Sequence, residues 1–210
     1  MSKGLLISFE GGEGGGKTTQ IVRLRDRLRN AGKDVIALRE PGGTAIGEQI
    51  REVVLSSKNS GISFTTEVLL FQAARSQIYR EVVLPSLEAG KIVLMDRTRD
   101  SSVVYQGIVR KFGVELIDQL NDISTKKTFP DITFLLDIPV EIGLNRRTMS
   151  GEVNRLDMEA KSFHQRVRDA YLSLAKKDLE KRWVVIDAEK TLEEVEVVIW
   201  QTIIKRGLSA

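Results

Sequence analysis

Short apolar runs alternate with longer segments of helical periodicity along this chain of 210 residues. The apolar runs predict five buried strands, at residues 5–9, 35–38, 92–95, 132–136 and 184–186. Helical spacing of apolar side chains lies between and after them, at residues 44–55, 64–87, 140–147, 163–181 and 192–205. This alternation predicts an α/β fold of one domain over residues 1–210, a three-layer α/β/α sandwich whose five-stranded parallel sheet carries helices on both faces.

A glycine-rich loop follows the first predicted strand. Residues 11–18 read GGEGGGKT and match the phosphate-binding pattern G-x-x-x-x-G-K-[ST] at every fixed position. A helical pattern begins at Thr18 and stops at Gly32, so strand, loop and helix start occur in the order that the motif requires. A flexible glycine turn is the alternative, but this context favours the nucleoside triphosphate site of a P-loop NTPase.

Such a loop can wrap phosphate oxygens with successive backbone N–H groups, because glycine tolerates the necessary dihedrals and has no Cβ to block approach. We expect Lys17 to reach the β and γ phosphates and the Thr18 hydroxyl to ligate Mg²⁺. The residues expected to bind the triphosphate are Gly11, Gly12, Glu13, Gly14, Gly15, Gly16, Lys17 and Thr18.

Aspartates end two of the predicted strands, and ligands of parallel sheets bind beyond the carboxyl ends of strands. Asp96 closes the third strand and Asp137 the fourth, and either could be the acid that P-loop proteins link to Mg²⁺. Asp96 is favoured because Arg97 follows it, and an adjacent carboxylate and guanidinium can bridge metal-bound water and phosphate. The alternative is an aspartate that only caps the next helix.

Three further segments hold candidate binding residues. The block REPGGT at 39–44 is by itself only a loop, although Arg51 in the following helix could point back to the sheet edge. Phe71 and Arg75 lie at i and i+4 of one helix face, which suits a nucleobase pocket, while a core Phe with a surface Arg is the commoner arrangement. A helix over 99–109 would bring four polar side chains near one face, those of Ser101, Ser102, Tyr105 and Gln106.

The segment 146–157, RRTMSGEVNRLD, is polar and interrupts two helical patterns. It is either a mobile lid or an ordinary loop between helices. The only histidine, His164, lies in a charged helical pattern, and we expect it on the surface.

Composition narrows the function classes. The chain has no cysteine, which excludes disulfides and thiolate metal sites. Its 32 Lys and Arg are spread among 29 Asp and Glu, which is typical of a solvated mixed surface, so we expect no nucleic-acid partner. No apolar run approaches a membrane span and the N-terminus enters a strand directly, so we expect no signal peptide, no membrane partner and a cytoplasmic location.

Four blocks together resemble the thymidylate kinase family, in that family's order and along nearly the whole chain. They are EGGEGGGKTT at 10–19, REPGGT at 39–44, FQAAR at 71–75, and DR followed by YQ within 96–106. The similarity continues through 130–133 and 154–157. The glycine loop is common to many families, whereas the REPGG block and the DR…S…YQ block are specific to this one.

The resemblance implies phosphoryl transfer from MgATP to dTMP, a step in dTTP synthesis that yields dTDP. It implies that Lys17 and Thr18 serve the phosphates of ATP and Mg²⁺, and that Asp96 organises metal-bound water and Arg97. For the acceptor nucleotide it implies the following contacts: Glu13 with the 3′-hydroxyl, Phe71 stacked on thymine, Arg75 donating to a thymine carbonyl, Arg51 and Arg97 on the phosphate, Ser102 and Gln106 lining the site, and Tyr105 beneath the sugar, where it disfavours a 2′-hydroxyl.

The family carries its catalytic arginine either in the glycine loop or in the lid. Residues 14–16 are all glycine here, so the resemblance implies the lid type, with Arg146, Arg147 and Arg155 as candidates and Arg147 as first choice. Two positions depart from the family pattern: Ser150, where some lid-type members have arginine, and Thr98, where an aromatic residue or histidine is frequent. The resemblance also implies a homodimer, formed through helices at 44–87 and 99–110.

Two other functions remain to be weighed. A kinase for another nucleoside monophosphate is the nearer one, and Phe71, Arg75 and Tyr105 favour thymidine over it. A nucleotide-dependent switch or partitioning ATPase is the other. Against it, the sequence contains neither D-x-x-G nor N-K-x-D, and Gly12 stands where a partitioning ATPase usually has lysine.

Overall fold

Five parallel strands form one sheet in the spatial order β2-β3-β1-β4-β5. The computed structural model describes residues 4–149, 151, 153–178 and 180–207, so Ser150 and residue 152 of the predicted lid lie outside the described residues. The strands are β1 Leu5–Glu10, β2 Val35–Arg39, β3 Ile92–Asp96, β4 Ile132–Asp137 and β5 Trp183–Asp187. Each contains a predicted apolar run and is longer by one or two residues, so the predicted strands are confirmed.

Helices connect the strands and follow the last one. They are α1 Lys17–Asn30, α2 Ala45–Leu55, α3 Phe64–Ile78, α4 Leu84–Glu88, α5 Arg99–Ser102, α6 Val114–Thr125, α7 Val140–Met149, α8 Lys161–Lys177 and α9 Leu192–Lys205. A 3₁₀ turn covers Ser57–Asn59, and π-helical segments cover Tyr79–Val83 and Val103–Val109. No helix in the described ranges is both long and apolar enough to cross a membrane.

Helices cover both faces of the sheet, as the α/β/α prediction requires. Successive residues of β1 belong to different apolar clusters, with Ile7 packed beside α1 and α9 residues and Leu6 beside the α3–α4 region. Strand β3 alternates in the same way, since Leu94 lies in the first cluster and Val93 and Met95 lie in the second. This alternation explains why the strands read as continuous apolar runs, because both of their faces are buried.

Three details differ from the prediction. The helical pattern expected over 163–181 ends at Lys177, because the Asp178 carboxylate accepts a hydrogen bond from the Trp183 backbone N–H and turns the chain toward β5. Helix α6 was not among the predicted helices. The surface placement of His164 is wrong, since this side chain is buried with its ring edge-on to Phe163.

The glycine loop rests directly on α7. Gly14 has φ +67°, and a Cβ at this position would collide with the backbone oxygen of Gly143. A Cβ on Gly143 would in turn collide with the backbone oxygen of Glu13. Only glycine at both positions allows the two backbones to approach this closely.

We therefore expect Gly143→Ala to lower the free energy of unfolding by about 1–3 kcal/mol, because the added methyl group overpacks a backbone contact. Urea denaturation followed by circular dichroism measures this change. Gly61→Ala is the matched control, since no atom lies within 4 Å of a Cβ built on Gly61. Equal losses of stability in the two variants would contradict the close contact.

Candidate active site

A cavity of about 590 Å³ opens beyond the carboxyl ends of β1, β2 and β3. Its walls come from the glycine loop, the loop after β2, helices α2 and α3, the segment after β3, and the predicted lid. This is the edge at which parallel sheets bind ligands, because the loops that follow neighbouring strands meet there.

The glycine loop forms one end of the cavity. Gly14, Gly15 and Gly16 line it together with Lys17 and Thr18. Gly16 has φ +82° and precedes the first residue of α1, so the positive end of this helix faces the cavity.

Gly11 and Gly12 contribute to the loop in another way. Lys17 Nζ donates to the Gly12 carbonyl at 2.7 Å and to the Gly11 carbonyl at 3.3 Å. These two glycines are not among the described residues that line the cavity. Their carbonyls instead hold Lys17, which does line it. Burial, with Arg97 nearby, lowers the pKa of Lys17, while the Glu13 carboxylate opposes that effect.

Thr18 and Asp96 lie together at the donor end. Thr18 Oγ1 donates to Asp96 Oδ2 at 2.6 Å, so the motif hydroxyl and the strand-end carboxylate are direct neighbours. A hydroxyl and one carboxylate are hard oxygen ligands that suit Mg²⁺, which takes its other ligands from phosphates and water. Within the described ranges no group of three or more His, Cys, Asp or Glu side chains could hold a metal.

The competing aspartate, Asp137, has another partner. Arg168 donates to its two carboxylate oxygens at 2.7 and 2.9 Å, and Asp137 is not among the cavity-lining residues of the described chain. The geometry therefore favours Asp96 over Asp137 for the metal-linked role.

Phe71 and Arg75 line the other end of the cavity. Arg75 is only 2% exposed, in contrast to the commoner arrangement of a core Phe with a surface Arg. Its guanidinium donates to Glu40 Oε2 at 2.7 Å, to Ser102 Oγ at 2.8 Å and to Asn121 Oδ1 at 2.8 Å. Burial raises the pKa of Glu40, and the Arg75 cation opposes that rise. The arginine is thus fixed in place before any ligand is bound.

The segment after β3 supplies the side wall. Ser101, Ser102, Tyr105 and Gln106 all line the cavity, as their predicted common face requires. Gln106 Nε2 donates to Glu67 Oε1 at 2.9 Å, which leaves the side-chain oxygen of Gln106 as the acceptor at this wall.

Glu13 lies at the centre of the polar groups. Arg97 Nη2 donates to Glu13 Oε1 at 2.6 Å, and the Tyr105 hydroxyl donates to the same oxygen at 3.2 Å. Burial alone would raise the pKa of Glu13, but Arg97, Lys17 and Arg147 together lower it to about 2. The Glu13 carboxylate is therefore ionised and balances the surrounding cations.

Arg51 lies on the wall formed by α2. Its Nη1 donates to the Pro41 carbonyl at 2.7 Å, so the block after β2 orients this arginine toward the cavity. The suggestion that Arg51 points back to the sheet edge agrees with this position.

The three lid arginines differ in their surroundings. Arg146 and Arg147 both line the cavity, and Arg147 Nε donates to Asp157 Oδ2 at 2.9 Å. Arg155 instead donates to the Val54 carbonyl at 3.1 Å and to Glu67 Oε2 at 2.6 Å. The geometry thus ties Arg155 to α2 and α3 and leaves Arg146 and Arg147 at the cavity.

Sequence reasoning missed a polar network under the cavity floor. Glu10 is fully buried at the end of β1 and bonds to Tyr171 of α8. Burial, with Asp100 nearby, raises the pKa of Glu10 to about 7, and Arg97 opposes that rise. The strand-end position that singled out Asp96 also applies to Glu10, whereas nothing in the local pattern marks Tyr171.

Comparison with known proteins gives consistent results. A family model described as thymidylate kinase matches residues 9–199. A thymidylate kinase of Geobacillus sp. (strain WCH70) is 46% identical over 195 residues, which cover 92% of each chain. The crystal structure of thymidylate kinase from Ehrlichia chaffeensis matches with a TM-score of 0.78 and 32% identity, and covers 96% of this chain and 100% of that one. The chain therefore belongs to the thymidylate kinase family.

Proposed function

We propose that this protein transfers the γ-phosphoryl group of MgATP to dTMP and so forms dTDP, a step in dTTP synthesis. Membership of the family supports this reaction. The observation that carries the proposal is that one cavity joins the glycine loop, with Lys17 and Thr18, to the Phe71–Arg75 pocket. Both substrates can therefore meet in a single site. We place the reaction in the cytoplasm, where ATP is available.

The donor phosphates belong at the glycine loop. Backbone N–H groups of residues 13–18 and the Lys17 ammonium would hold the phosphates, with the α1 N-terminus adding positive potential. Thr18 and Asp96 would hold Mg²⁺, Asp96 through a water molecule. When bound, this ion neutralises charge on the phosphates of ATP.

The acceptor nucleotide belongs at the other end. Phe71 offers a ring face for thymine, and Arg75 and Gln106 offer a donor and an acceptor beside it. Tyr105 and Glu13 would lie at the sugar, and Ser102 would support the base site through Arg75. Arg51 and Arg97, which also line the cavity, would bind the phosphate of the acceptor nucleotide.

Phosphoryl transfer demands charge neutralisation more than proton transfer. The transition state is loose, and the attacking acceptor oxygen is already ionised at neutral pH, so no strong general base is required. Two polyanions must nevertheless approach in line. Lys17, Arg97 and Arg147, which all line the cavity, would offset the repulsion between the two substrates.

Residues 146–157 would act as the lid of this single-domain enzyme, and Arg147 as its catalytic arginine. The Asp157 carboxylate accepts from Arg147 Nε and also from the Asn154 backbone N–H at 2.8 Å, so a compact turn orients the arginine. Closure over the cavity would exclude water and protect ATP from hydrolysis.

We propose a homodimer through the apolar surface of the neighbouring helices α2, α3 and α6. Residues 99–110, which the family resemblance placed in the interface, are mostly buried within the chain itself, so α6 takes their place in this proposal. Ile46 and Val53 are spaced by two turns on α2, and Leu116 and Ile123 are spaced in the same way on α6. All four side chains are exposed, as is Leu69 on α3 between these helices. We propose that a second copy of the chain covers this face.

An acceptor panel tests the proposed function. With MgATP and equal concentrations of dTMP, dUMP, AMP, CMP and GMP, we expect the highest kcat/KM for dTMP in a coupled ADP-release assay. Preference for any other acceptor would overturn the substrate assignment, and rapid ATP hydrolysis without acceptor would favour a switch ATPase.

Lys17→Ala, assayed in parallel, should remain folded and lose nearly all turnover, because the phosphates of ATP lose their buried cation.

Substitution of the lid arginines tests the catalytic assignment. Arg147→Ala should lower kcat by about 10³-fold or more, because an arginine that stabilises transition-state charge contributes about 10³–10⁵ in rate. The KM for dTMP should change far less. Steady-state kinetics of Arg146→Ala and Arg155→Ala provide the comparison, and an inactive Arg146→Ala beside an active Arg147→Ala would refute the choice.

Light scattering coupled to size exclusion tests the dimer. Wild-type protein should elute with twice the chain mass, and Ile123→Lys should shift it toward the monomer because a charge would be buried in the interface. Val197→Lys is the control, since Val197 is an exposed valine on α9, away from this face. A wild-type monomer at micromolar concentration would exclude the proposed interface.

A further inference from the structure

Glu10 is a carboxylate with no exposed surface, placed under the floor of the cavity. Its Oε1 accepts from the Thr98 backbone N–H at 2.7 Å and from Thr98 Oγ1 at 3.1 Å. Its Oε2 accepts from Ser101 Oγ at 2.6 Å and from the Tyr171 hydroxyl at 2.8 Å. Four donors from two elements thus converge on one side chain.

The same two hydroxyls also contact Arg97. Arg97 Nη1 donates to the Tyr171 hydroxyl oxygen at 3.2 Å, to Ser101 Oγ at 3.4 Å and to the Gly11 carbonyl at 3.1 Å. Its Nη2 donates to Glu13 at 2.6 Å. Ser101 and Tyr171 therefore lie between the buried carboxylate and the guanidinium.

The direction of the hydroxyl protons follows from the partners. A guanidinium can only donate hydrogen bonds, and an ionised carboxylate can only accept them. When Ser101 and Tyr171 donate their protons to Glu10, their oxygens are left to accept from Arg97. Ser101 Oγ and the Tyr171 hydroxyl oxygen also lie 2.8 Å apart, so without the carboxylate one hydroxyl can donate to the other, and the remaining proton is free to turn toward the guanidinium and repel it.

Glu10 also holds the backbone on which Arg97 is mounted. Arg97 has φ +69°, a left-handed conformation that costs free energy in a residue with a Cβ. Its own N–H donates to the Phe9 carbonyl at 3.0 Å, and the next N–H, that of Thr98, donates to Glu10. Both peptide units around Arg97 are therefore tied to the end of β1.

We propose that Glu10 is a positioning residue for Arg97, acting through the hydroxyls of Ser101 and Tyr171 and through the Thr98 backbone. Glu10 has no exposed surface with which to touch a substrate. This inference rests on the proposed function, in which Arg97 holds the phosphate of the acceptor.

The first experiment is steady-state kinetics of Glu10→Gln at pH 8, above the pKa of about 7 to which burial raises the Glu10 carboxyl. The amide keeps the shape of the side chain but presents donors to the two hydroxyls. We expect the KM for dTMP to rise about tenfold, the effect of losing one charge-assisted hydrogen bond. The KM for ATP should stay within about twofold, because the glycine loop is untouched. An unchanged KM for dTMP would overturn the proposal.

A double-mutant cycle tests whether Glu10 acts on Arg97 through the Tyr171 hydroxyl. Tyr171→Phe removes one of the two hydroxyls and should raise the KM for dTMP by less than Glu10→Gln does. The double variant should be no worse than Glu10→Gln alone, because the hydroxyl acts only when the carboxylate orients it. Additive effects would show that Glu10 and Tyr171 act independently and would refute the route.

Two further variants distinguish a failure of the proposed Arg97 role from a failure of the inference about Glu10. Ser8→Ala removes another fully buried polar side chain of β1, bonded to Thr133 Oγ1 at 2.8 Å, and should leave both KM values unchanged. Arg97→Ala should raise the KM for dTMP at least as much as Glu10→Gln does. If it does not, the proposed role of Arg97 fails, whereas a strong Arg97→Ala effect beside a silent Glu10→Gln overturns only the inference.

Folding is monitored by thermal melting of every variant. If Glu10→Gln does not fold, Tyr171→Phe and Ser101→Ala decide the matter by the same measurement. Unchanged KM values for dTMP in both would then refute the proposal.

Discussion

Repulsion between cations is the constraint on which this site depends, and Glu13 is the group that relieves it. Lys17, Arg97 and Arg147 all lower the pKa of Glu13, and the lysine and Arg97 themselves repel one another. A cavity built for two polyanions must keep such cations close together while it is empty. A carboxylate inside the glycine loop, bonded to Arg97 at 2.6 Å, makes that arrangement stable.

The order of the strands brings these charges together. Strand β1 lies between β3 and β4, so the glycine loop after β1 directly neighbours Asp96 at the end of β3 and Arg97 after it. The Thr18–Asp96 contact joins residues that are 78 positions apart in the chain. Neither element could form the site alone, and the parallel sheet is what sets their separation.

The sequence was sufficient for features that local chemistry decides. Apolar runs located all five strands, and the spacing of 11–18 located the loop and its lysine. Burial of Arg75 in α3 could not be foreseen, because it depends on Glu40, a residue 35 positions away in the loop after β2. The same holds for the arginines of the proposed lid. Arg147 bonds to Asp157 and Arg155 bonds to Glu67, and the local sequence around the two arginines does not predict this difference.

The meeting of Gly14 and Gly143 has a mechanical consequence. Two backbones in direct contact, with no side chain between them to deform, act as a fixed pivot for whatever lies beyond. Arg147 is four residues from that pivot, about 6 Å along a helix, whereas Gly151 is eight residues from it in the chain and lies beyond the end of α7. If the proposed lid opens about this contact, residues near Gly151 would move through a wider arc than Arg147, so that product could leave while the arginine stays close to the other cations.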